Sequence, residues 1–326
     1  MLGFLVYLGL FIVLRGIYRF VRTLYKYDLL YSLNIYRRTS RIFDYTETRD
    51  GSVPWAFVAN VGDDLGRAFV EELAYLGFNI FLHDALPHRI DELIIALRRK
   101  YPFRGFVGLD MPPTCPMNLE SEELRESIRG VMQRVTLKVF VNVIALQPKA
   151  DADKLAVLDA YSIREQLNDI DRCMTFPTLM LATLAPALKA NAPSLILNVE
   201  APEHPVAQIG PLDGPYMTYL RALTINLSRE MKVLGKEVEV VDLKLGQFTR
   251  KKDMEEDAKC RSLFRPGVDT LVRSALMRVG CGETIMVPHT PHALLAWLTK
   301  LLPESVREWM RVKLLENRIR RNLKSE

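Results

Sequence analysis

The residues best placed for chemistry lie in one loop, residues 58–67 (VANVGDDLGR), between an apolar and an amphipathic segment. A nucleotide-binding fold keeps a glycine loop here, and its backbone N–H groups bind a pyrophosphate at a helix N-terminus. In this chain Asp63 and Asp64 stand where the anion would lie. At about 5 Å and an intermediate dielectric, each carboxylate would weaken phosphate binding by roughly 1–3 kcal/mol. The same aspartates stabilise a helix N-terminus without ligand, so the sequence predicts a helix cap.

The other polar residues give weaker evidence for a functional site. Asp84, in LHDALPHR, is placed to accept hydrogen bonds from ribose hydroxyls, which would favour NAD over NADP. The alternative is that Asp84 is an exposed aspartate in a turn. His289 and His292 (HTPH) have no carboxylate or thiol nearby in the sequence, so no metal site is predicted. The four cysteines form no CxxC pair and indicate reduced thiols in a cytosol- or matrix-facing protein.

Alternating apolar strands and helices surround these residues. Strands are predicted at WAFVAN, NIFLH, GFVGLD, KVFVNV, SLILNV and EVEVVDL, with ETIMVP as a seventh, edge strand. Continuous apolar strands separated by helices predict a parallel sheet covered on both faces. The fold class is therefore α/β, a Rossmann-like doubly wound parallel sheet.

The segment WAFVANVGDDLGRAFVEELAYLGFNIFL resembles the opening βαβ unit of short-chain dehydrogenases/reductases. Within that family, LAPALKANAPSLILNV, LSREMKVLGKEVEVV and the tail from residue 292 resemble the membrane-bound very-long-chain 3-oxoacyl-CoA reductase and 17-beta-hydroxysteroid dehydrogenase branch. The resemblance covers nearly the whole chain in layout, although most motif residues differ. It implies the short-chain dehydrogenase fold, with a membrane helix before it and amphipathic helices after it.

The resemblance implies a TGxxxGxG loop for the cofactor. The threonine position is Ala59, the first two glycine positions are Asn60 and Asp64, and only Gly66 is retained. Side chains at 60 and 64 would prevent close backbone approach to a pyrophosphate. We therefore predict no bound cofactor. Four residues remain as vestigial cofactor positions: Gly66, Asp84, Asp110 and Asn142.

The resemblance also implies an Asn-Ser-Tyr-Lys catalytic tetrad, in which the tyrosine is the acid. At these positions the chain has Cys173 for the asparagine, Glu200 and Ala201 for the serine, Asp213 or Gly214 for the tyrosine, and Met217 or Thr218 for the lysine. Tyr216 and Tyr219 are nearby, but residues four positions on are leucines. Arg221, five positions after Tyr216, is expected to point away from it on a helix. The sequence therefore predicts that no catalytic group remains.

The N-terminus indicates a membrane element. Residues 2–14 (LGFLVYLGLFIVL) carry no charge, and continuation to Val21 reaches the length that spans a bilayer, about 20 residues. Arginines and a lysine follow at intervals of three or four residues, so their stems would snorkel to lipid phosphates. The segment lacks the features of a cleaved signal peptide. An uncleaved anchor is expected, with the globular domain facing cytosol or matrix; a helix buried against another subunit is the alternative.

Four parts are predicted: a membrane anchor helix (1–27), a basic linker (28–52), the Rossmann-like domain (53–288) and a C-terminal amphipathic extension (289–326). The net charge is +5 and basic residues gather at the two ends, which suits an anionic membrane and argues against nucleic acid. The primary hypothesis is an inactive scaffold or accessory subunit of a membrane complex, including a mitochondrial respiratory one. It would have protein partners or form a homodimer, in the mitochondrial inner membrane or the endoplasmic reticulum.

Two alternatives remain. One is an active membrane-bound NAD(P)H-dependent reductase of 3-oxoacyl-CoA or steroid ketones with an atypical acid such as Tyr216. The other is a protein that binds a nucleotide or acyl ligand without turnover. Cofactor binding separates the first hypothesis from both alternatives, and turnover separates the alternatives from each other.

Overall fold

The structure is a computed structural model. It describes residues 7, 9–11, 13–18, 21, 41–48, 50–84, 87–109, 119–144, 162–200, 213–249, 263–280 and 282–322. The chain divides into two compact units, Met1–Ser40 and Arg41–Glu326. In the first unit the described residues are helical and exposed, and the apolar helix Gly9–Tyr18 is shorter than the about 20 residues that span a bilayer.

The second unit is built on a sheet of seven parallel strands. The strands are β1 (Trp55–Ala59), β2 (Asn79–His83), β3 (Phe106–Leu109), β4 (Leu137–Val143), β5 (Ser194–Val199), β6 (Val238–Leu243) and β7 (Ile285–Met286). Their order is β3-β2-β1-β4-β5-β6-β7. The direction of winding reverses between β1 and β4, so a crevice for ligands is expected at the carboxyl ends of these two strands.

Helices cover both faces of the sheet. They are α1 (Asp64–Leu76), α2 (Pro87–Lys100), α3 (Leu119–Gln133), α4 (Ile163–Ile170), α5 (Phe176–Ala190), α6 (Asp213–Val233), α7 (Val268–Met277), α8 (Thr290–Leu301) and α9 (Glu304–Asn322). A π-helical turn, Asp171–Thr175, joins α4 to α5. Every residue of β4 and β5 is buried, as expected for central strands covered on both sides.

The core consists of two large apolar clusters, one on each face of the sheet. One contains Val58, Phe69 and Val272, and so joins β1 to α1 and α7. The other contains Phe57, Leu184 and further residues of α3, α5 and α6. Successive strand residues alternate between the two clusters, because side chains of a strand point to opposite faces.

One described helical run, Ile163–Ala190, is long and apolar enough to span a membrane. Half of its most apolar window is buried within the folded domain. This run is α4 with α5, and α5 packs on α3 and β4. Packing of this run in the core of the domain therefore explains why it is apolar.

The prediction of a doubly wound parallel sheet is confirmed, including the edge position of the seventh strand. The predicted strand bounds agree to within one or two residues, except that ETIMVP contributes only Ile285–Met286. The C-terminal extension forms two helices, α8 and α9. The boundaries proposed for the four parts stay predictions.

Candidate functional site

A row of buried polar side chains lies across the carboxyl ends of four strands. Strand pairing places His83, Ala59, Asn142, Asn198 and Asp242 side by side on β2, β1, β4, β5 and β6. The four polar members are fully buried. Residues in register on parallel strands share one face of the sheet, so the row faces the helices α5 and α6. Polar side chains are costly to bury, which makes a row of four at the expected ligand edge a candidate site.

The centre of the row is a hydrogen-bonded chain. Asn142 Nδ2 donates to Asn198 Oδ1 at 3.1 Å, and Asn198 Nδ2 donates to Thr224 Oγ1 on α6 at 2.8 Å. The Thr224 hydroxyl donates in turn to the Leu220 carbonyl at 2.8 Å. These bonds use both ends of the Asn198 amide and fix α6 against β5. Asn142, one of the predicted vestigial positions, therefore has a structural role in the site.

The loop after β1 has a left-handed residue at the first glycine position of the family motif. Asn60 has a φ of 61°, a left-handed conformation that asparagine tolerates better than most residues. Its side-chain Nδ2 donates to the Val143 carbonyl at 2.6 Å, so the amide is held by the end of β4. A side chain at Gly66 would overlap the Asn60 carbonyl oxygen, so glycine is required there for helix–strand packing.

Two carboxylates flank the same loop. Asp63 caps α1 by accepting a hydrogen bond from the Asp64 backbone N–H at 2.9 Å, as predicted. Asp84, at the end of β2, is buried, and its carboxylate lies against the Cα of Gly62. The aspartate after the second strand is the group that binds ribose hydroxyls in dinucleotide folds. The alternative of an exposed turn residue is wrong for Asp84, since it is 5% exposed.

These residues fit a dinucleotide in part. Asn60, Gly62 and Gly66 preserve the turn and its close contacts, and Asp84 fits an adenosine ribose without a 2′-phosphate. The charges of Asp63 and Asp64 oppose the pyrophosphate. The site thus fits NAD(H) better than NADP(H), with reduced affinity.

Two of the positions that the family resemblance assigned to the tetrad, Cys173 and Met217, lie together in an apolar group that also contains Tyr216. Cys173, Tyr216 and Met217 are buried in one cluster with Ile144 and Leu220. Cys173 lies in the π-helical turn, a feature that often marks functional sites. The expectation that Tyr216 is a packing residue agrees with this surrounding. Tyr219 bonds the Thr178 hydroxyl on α5 at 2.7 Å.

A charged cluster lies beside the row at the ends of β5 and β6. Arg221 Nη2 donates to both carboxylate oxygens of Glu200, at 2.7 and 2.9 Å. Its Nε donates to Asp242 Oδ2 at 3.4 Å. Both carboxylates are fully buried, and the arginine side chain is 25% exposed. Arg221 thus bridges the two acids.

The cluster can hold a proton near neutral pH. Burial raises the pKa of the Asp242 carboxyl to about 6, against the opposing effects of a hydrogen bond with Glu200 and of the Arg221 charge. Two buried carboxylates with one guanidinium carry a net charge of −1 when both are ionised, and one proton neutralises them. A carboxylic acid that titrates in this range is suited to general acid catalysis.

Some predicted positions are not described. Asp110 and Ala201 lie outside the described residues, and of Asp213 only its place at the start of α6 is given. Glu200, assigned to the serine position, is at the site. Asp242 was missed by sequence reasoning, although an aspartate at the end of a buried strand is the signal that could have revealed it.

The two histidines of HTPH contact backbone. His289 Nε2 bonds the Leu263 carbonyl at 2.9 Å, and His292 Nε2 bonds the Phe264 carbonyl at 2.8 Å. The rings meet edge to face, with centroids 4.7 Å apart. They hold the segment between β6 and α7 against the start of α8.

This strand order, together with a ligand-edge site, defines a Rossmann-type α/β protein. No family model matches the chain. The very-long-chain 3-oxoacyl-CoA reductase of Caenorhabditis briggsae is 24% identical over 261 residues, covering 78% of this chain and 77% of that protein. The very-long-chain 3-oxoacyl-CoA reductase of Podospora anserina is 24% identical over 304 residues, covering 89% and 80%.

Solved structures share the fold. A short-chain dehydrogenase from Sphingobium yanoikuyae in complex with NADPH has a TM-score of 0.58 at 17% identity, covering 79% of this chain and 95% of that one. An NADPH-bound short-chain oxidoreductase from Pseudomonas aeruginosa PAO1, which contains an atypical catalytic centre, has a TM-score of 0.56 at 13% identity and covers 72% and 93%. The predicted resemblance to the short-chain dehydrogenases/reductases is confirmed: the chain has their fold, and its sequence matches the two reductases above at 24% identity.

The hypothesis of a catalytically inactive scaffold or accessory subunit is wrong, because the relatives that match over most of the chain are reductases. A respiratory-complex role and a mitochondrial location have no support among them. The motif residues are absent, but Arg221 of α6 joins Glu200 and Asp242 at the ends of β5 and β6.

Proposed function

We propose that this chain is a membrane-associated, NAD(H)-dependent reductase of 3-oxoacyl-CoA ketones with an atypical acid–base centre. Steroid ketones are the alternative substrate class. The observation that carries the proposal is the buried Glu200–Arg221–Asp242 cluster. Glu200 follows β5 and Arg221 lies on α6, the elements in which the family resemblance places the catalytic serine, tyrosine and lysine, and Asp242 lies on the neighbouring strand β6.

The names of the relatives support the reaction class, since both are very-long-chain 3-oxoacyl-CoA reductases. The Pseudomonas aeruginosa oxidoreductase supports the idea that this fold accommodates an atypical catalytic centre. Asp84 supports NAD(H), because its carboxylate would repel the 2′-phosphate of NADP(H).

Reduction of a ketone needs a hydride, which a bound nicotinamide supplies, and a proton on the carbonyl oxygen, which the protein must supply. The Glu200–Asp242 pair holds that proton, because burial raises the pKa of Asp242 to about 6. Arg221 is the partly exposed member and touches both acids. We therefore assign it to orient the carbonyl oxygen and to stabilise the charge that develops on it.

Asn142 and Asn198 are positioning residues in this scheme. Their hydrogen-bonded chain to Thr224 holds α6, and with it Arg221, at a fixed height above β5. Cys173 and Met217 form part of the apolar wall beside the centre. Such a wall excludes water and keeps the pKa of a nearby acid high.

For the location we propose the endoplasmic reticulum membrane, with the folded domain facing the cytosol. Support comes from the apolar segment at residues 2–14 and from the basic residues that follow it, because positive charges favour the cytoplasmic side.

The test uses the full chain in detergent with NADH and a long-chain 3-oxoacyl-CoA, and detects the 3-hydroxyacyl-CoA product by mass spectrometry. We expect turnover by the wild type and a large loss in Glu200→Gln. Glu230→Gln is the matched control, because Glu230 is an exposed acid on α6 that pairs with Lys189. Absence of both product and NADH binding at millimolar cofactor would contradict the proposal.

A further inference from the structure

The two C-terminal helices expose more large apolar side chains than the fold explains. These residues are Leu294, Leu298 and Leu301 on α8, Leu302 after it, and Val306, Trp309 and Val312 on α9, and we call them the C-terminal apolar set. None of them belongs to the clusters of the core. Exposed apolar residues concentrated in one part of a protein indicate an interaction surface.

On α8 the exposed leucines follow a helical repeat. Leu294, Leu298 and Leu301 are spaced by four and three residues, so they lie along one side of the helix. The opposite side is used for folding, since Ala293 and His292 are buried. The helix therefore has one side packed on the domain and a second apolar side without a described partner in the domain.

On α9 the same arrangement includes a tryptophan. Val306, Trp309 and Val312 are spaced by three residues, and the Trp309 side chain is 62% exposed. Tryptophan is enriched where a bilayer meets water, because its ring is apolar and its N–H is polar. Leu301, in the last turn of α8, is equally exposed.

The charges of this region favour an anionic surface. In the described part of α9, arginines and a lysine pair with glutamates, as in Arg311 with Glu308 and Lys313 with Glu316. The sequence from residue 317 onward adds four basic residues and one acidic residue. Basic residues next to an exposed apolar stripe are typical of helices that lie in a membrane interface.

We propose that α8 and α9 lie on the surface of an anionic bilayer, with the C-terminal apolar set inserted at the boundary between headgroups and acyl chains. This contact is additional to the apolar segment at residues 2–14. It brings the folded domain down onto the membrane. The inference does not depend on the reductase activity.

The experiment places the full chain in nanodiscs of phosphatidylcholine and phosphatidylserine, with and without brominated acyl chains, and records tryptophan fluorescence. The chain has three tryptophans, and Trp309→Phe isolates the contribution of the exposed one. We expect brominated lipid to quench the wild type, and most of this quenching to disappear in Trp309→Phe. The double variant Leu298→Glu/Leu301→Glu keeps Trp309 but should also lose the quenching.

Phe103→Glu is the matched control, because Phe103 is 90% exposed in the loop before β3, outside the C-terminal helices. It should leave the quenching unchanged. Quenching should also weaken in pure phosphatidylcholine and at high salt, since the basic residues lose their partner charges. Quenching that is unchanged in Trp309→Phe would overturn the proposal. So would an emission shift that depends on protein concentration and not on bromine, because it would identify a second copy of the chain as the occupant.

Discussion

Arg221 and Glu200 form a two-bond ion pair, in which Nη2 of the arginine lies 2.7 and 2.9 Å from the two carboxylate oxygens. The glutamate follows β5 and is fully buried, and the arginine comes from the middle of α6. Asp242 adds a second buried acid to the same guanidinium. Two buried acids that share one partly exposed arginine at the ligand edge of the sheet are the feature on which the functional proposal depends.

Removal of the arginine charge should destabilise the fold strongly. In Arg221→Met both carboxylates lose their cation in a buried place, so we expect a loss of about 3–5 kcal/mol in the free energy of unfolding. Lys189→Met is the control, because its partner Glu230 is exposed and such pairs contribute about 0–1 kcal/mol. Denaturant unfolding followed by circular dichroism measures both. Equal losses in the two variants would show that Arg221 is not paired as described.

The stability of the protein should depend on pH through Asp242. Its pKa in the folded state, about 6, is above the ordinary value of 3.8. A raised pKa gives stability that is fully present below about pH 4 and is lost as the pH rises through 6. Relative to Asp242→Asn, the wild type should therefore lose up to about 3 kcal/mol between pH 4 and 7. A difference between the two proteins that stays constant over this range would count against the shifted pKa.

The glycines of the first loop should differ in their tolerance of alanine. At Gly66 a Cβ would overlap the backbone carbonyl of Asn60, so Gly66→Ala should cost about 1–3 kcal/mol and lower the unfolding midpoint. At Gly62 the overlap is with the end of the Asp84 side chain, which is able to move. Gly62→Ala should therefore be milder, and Asp84→Ala should partly restore it. Thermal unfolding of Gly66→Ala, Gly62→Ala, Asp84→Ala and the double variant Gly62→Ala/Asp84→Ala tests the order.

The aspartates of the loop should limit cofactor affinity. Replacement of Asp64 by glycine removes a charge near the expected pyrophosphate, and about 1 kcal/mol corresponds to roughly fivefold tighter NADH binding. Asp63→Asn should act in the same direction. The exposed Asp91→Asn on α2 serves as the control and should change nothing. The measurement is calorimetric titration with NADH. Weaker NADH binding by Asp64→Gly than by the wild type would mean that the Asp64 carboxylate contributes to cofactor binding.

Much of the fold was predictable because a buried strand has a continuous run of apolar residues. SLILNV is a continuous apolar run, and the structure has β5 at those residues, Ser194–Val199. Asp63 was predicted to cap a helix because an acid before an amphipathic run stabilises its N-terminus, and the structure agrees. Both inferences need only neighbours within a few residues.

The Glu200–Arg221–Asp242 cluster was not predictable in the same way. Glu200 and Arg221 are 21 residues apart, and their contact depends on how α6 lies across β5. Asn60 illustrates the same limit within a loop, because its amide bonds Val143, 83 residues away. The absence of the serine and the lysine is visible position by position in the sequence. The contacts of Arg221 on α6 with Glu200 and with Asp242 on β6 depend on the fold.

The most direct test of the central claim is the pH dependence of kcat/KM for NADH-dependent reduction of a long-chain 3-oxoacyl-CoA. If the Glu200–Asp242 pair supplies the proton, the wild-type rate should fall as the pH rises above about 6, because the acid is then ionised. Glu200→Gln and Asp242→Asn should abolish that step in the profile, while Tyr216→Phe should retain it. A rate that is constant through pH 6 and is lost in Tyr216→Phe would contradict the claim and make the tyrosine the acid.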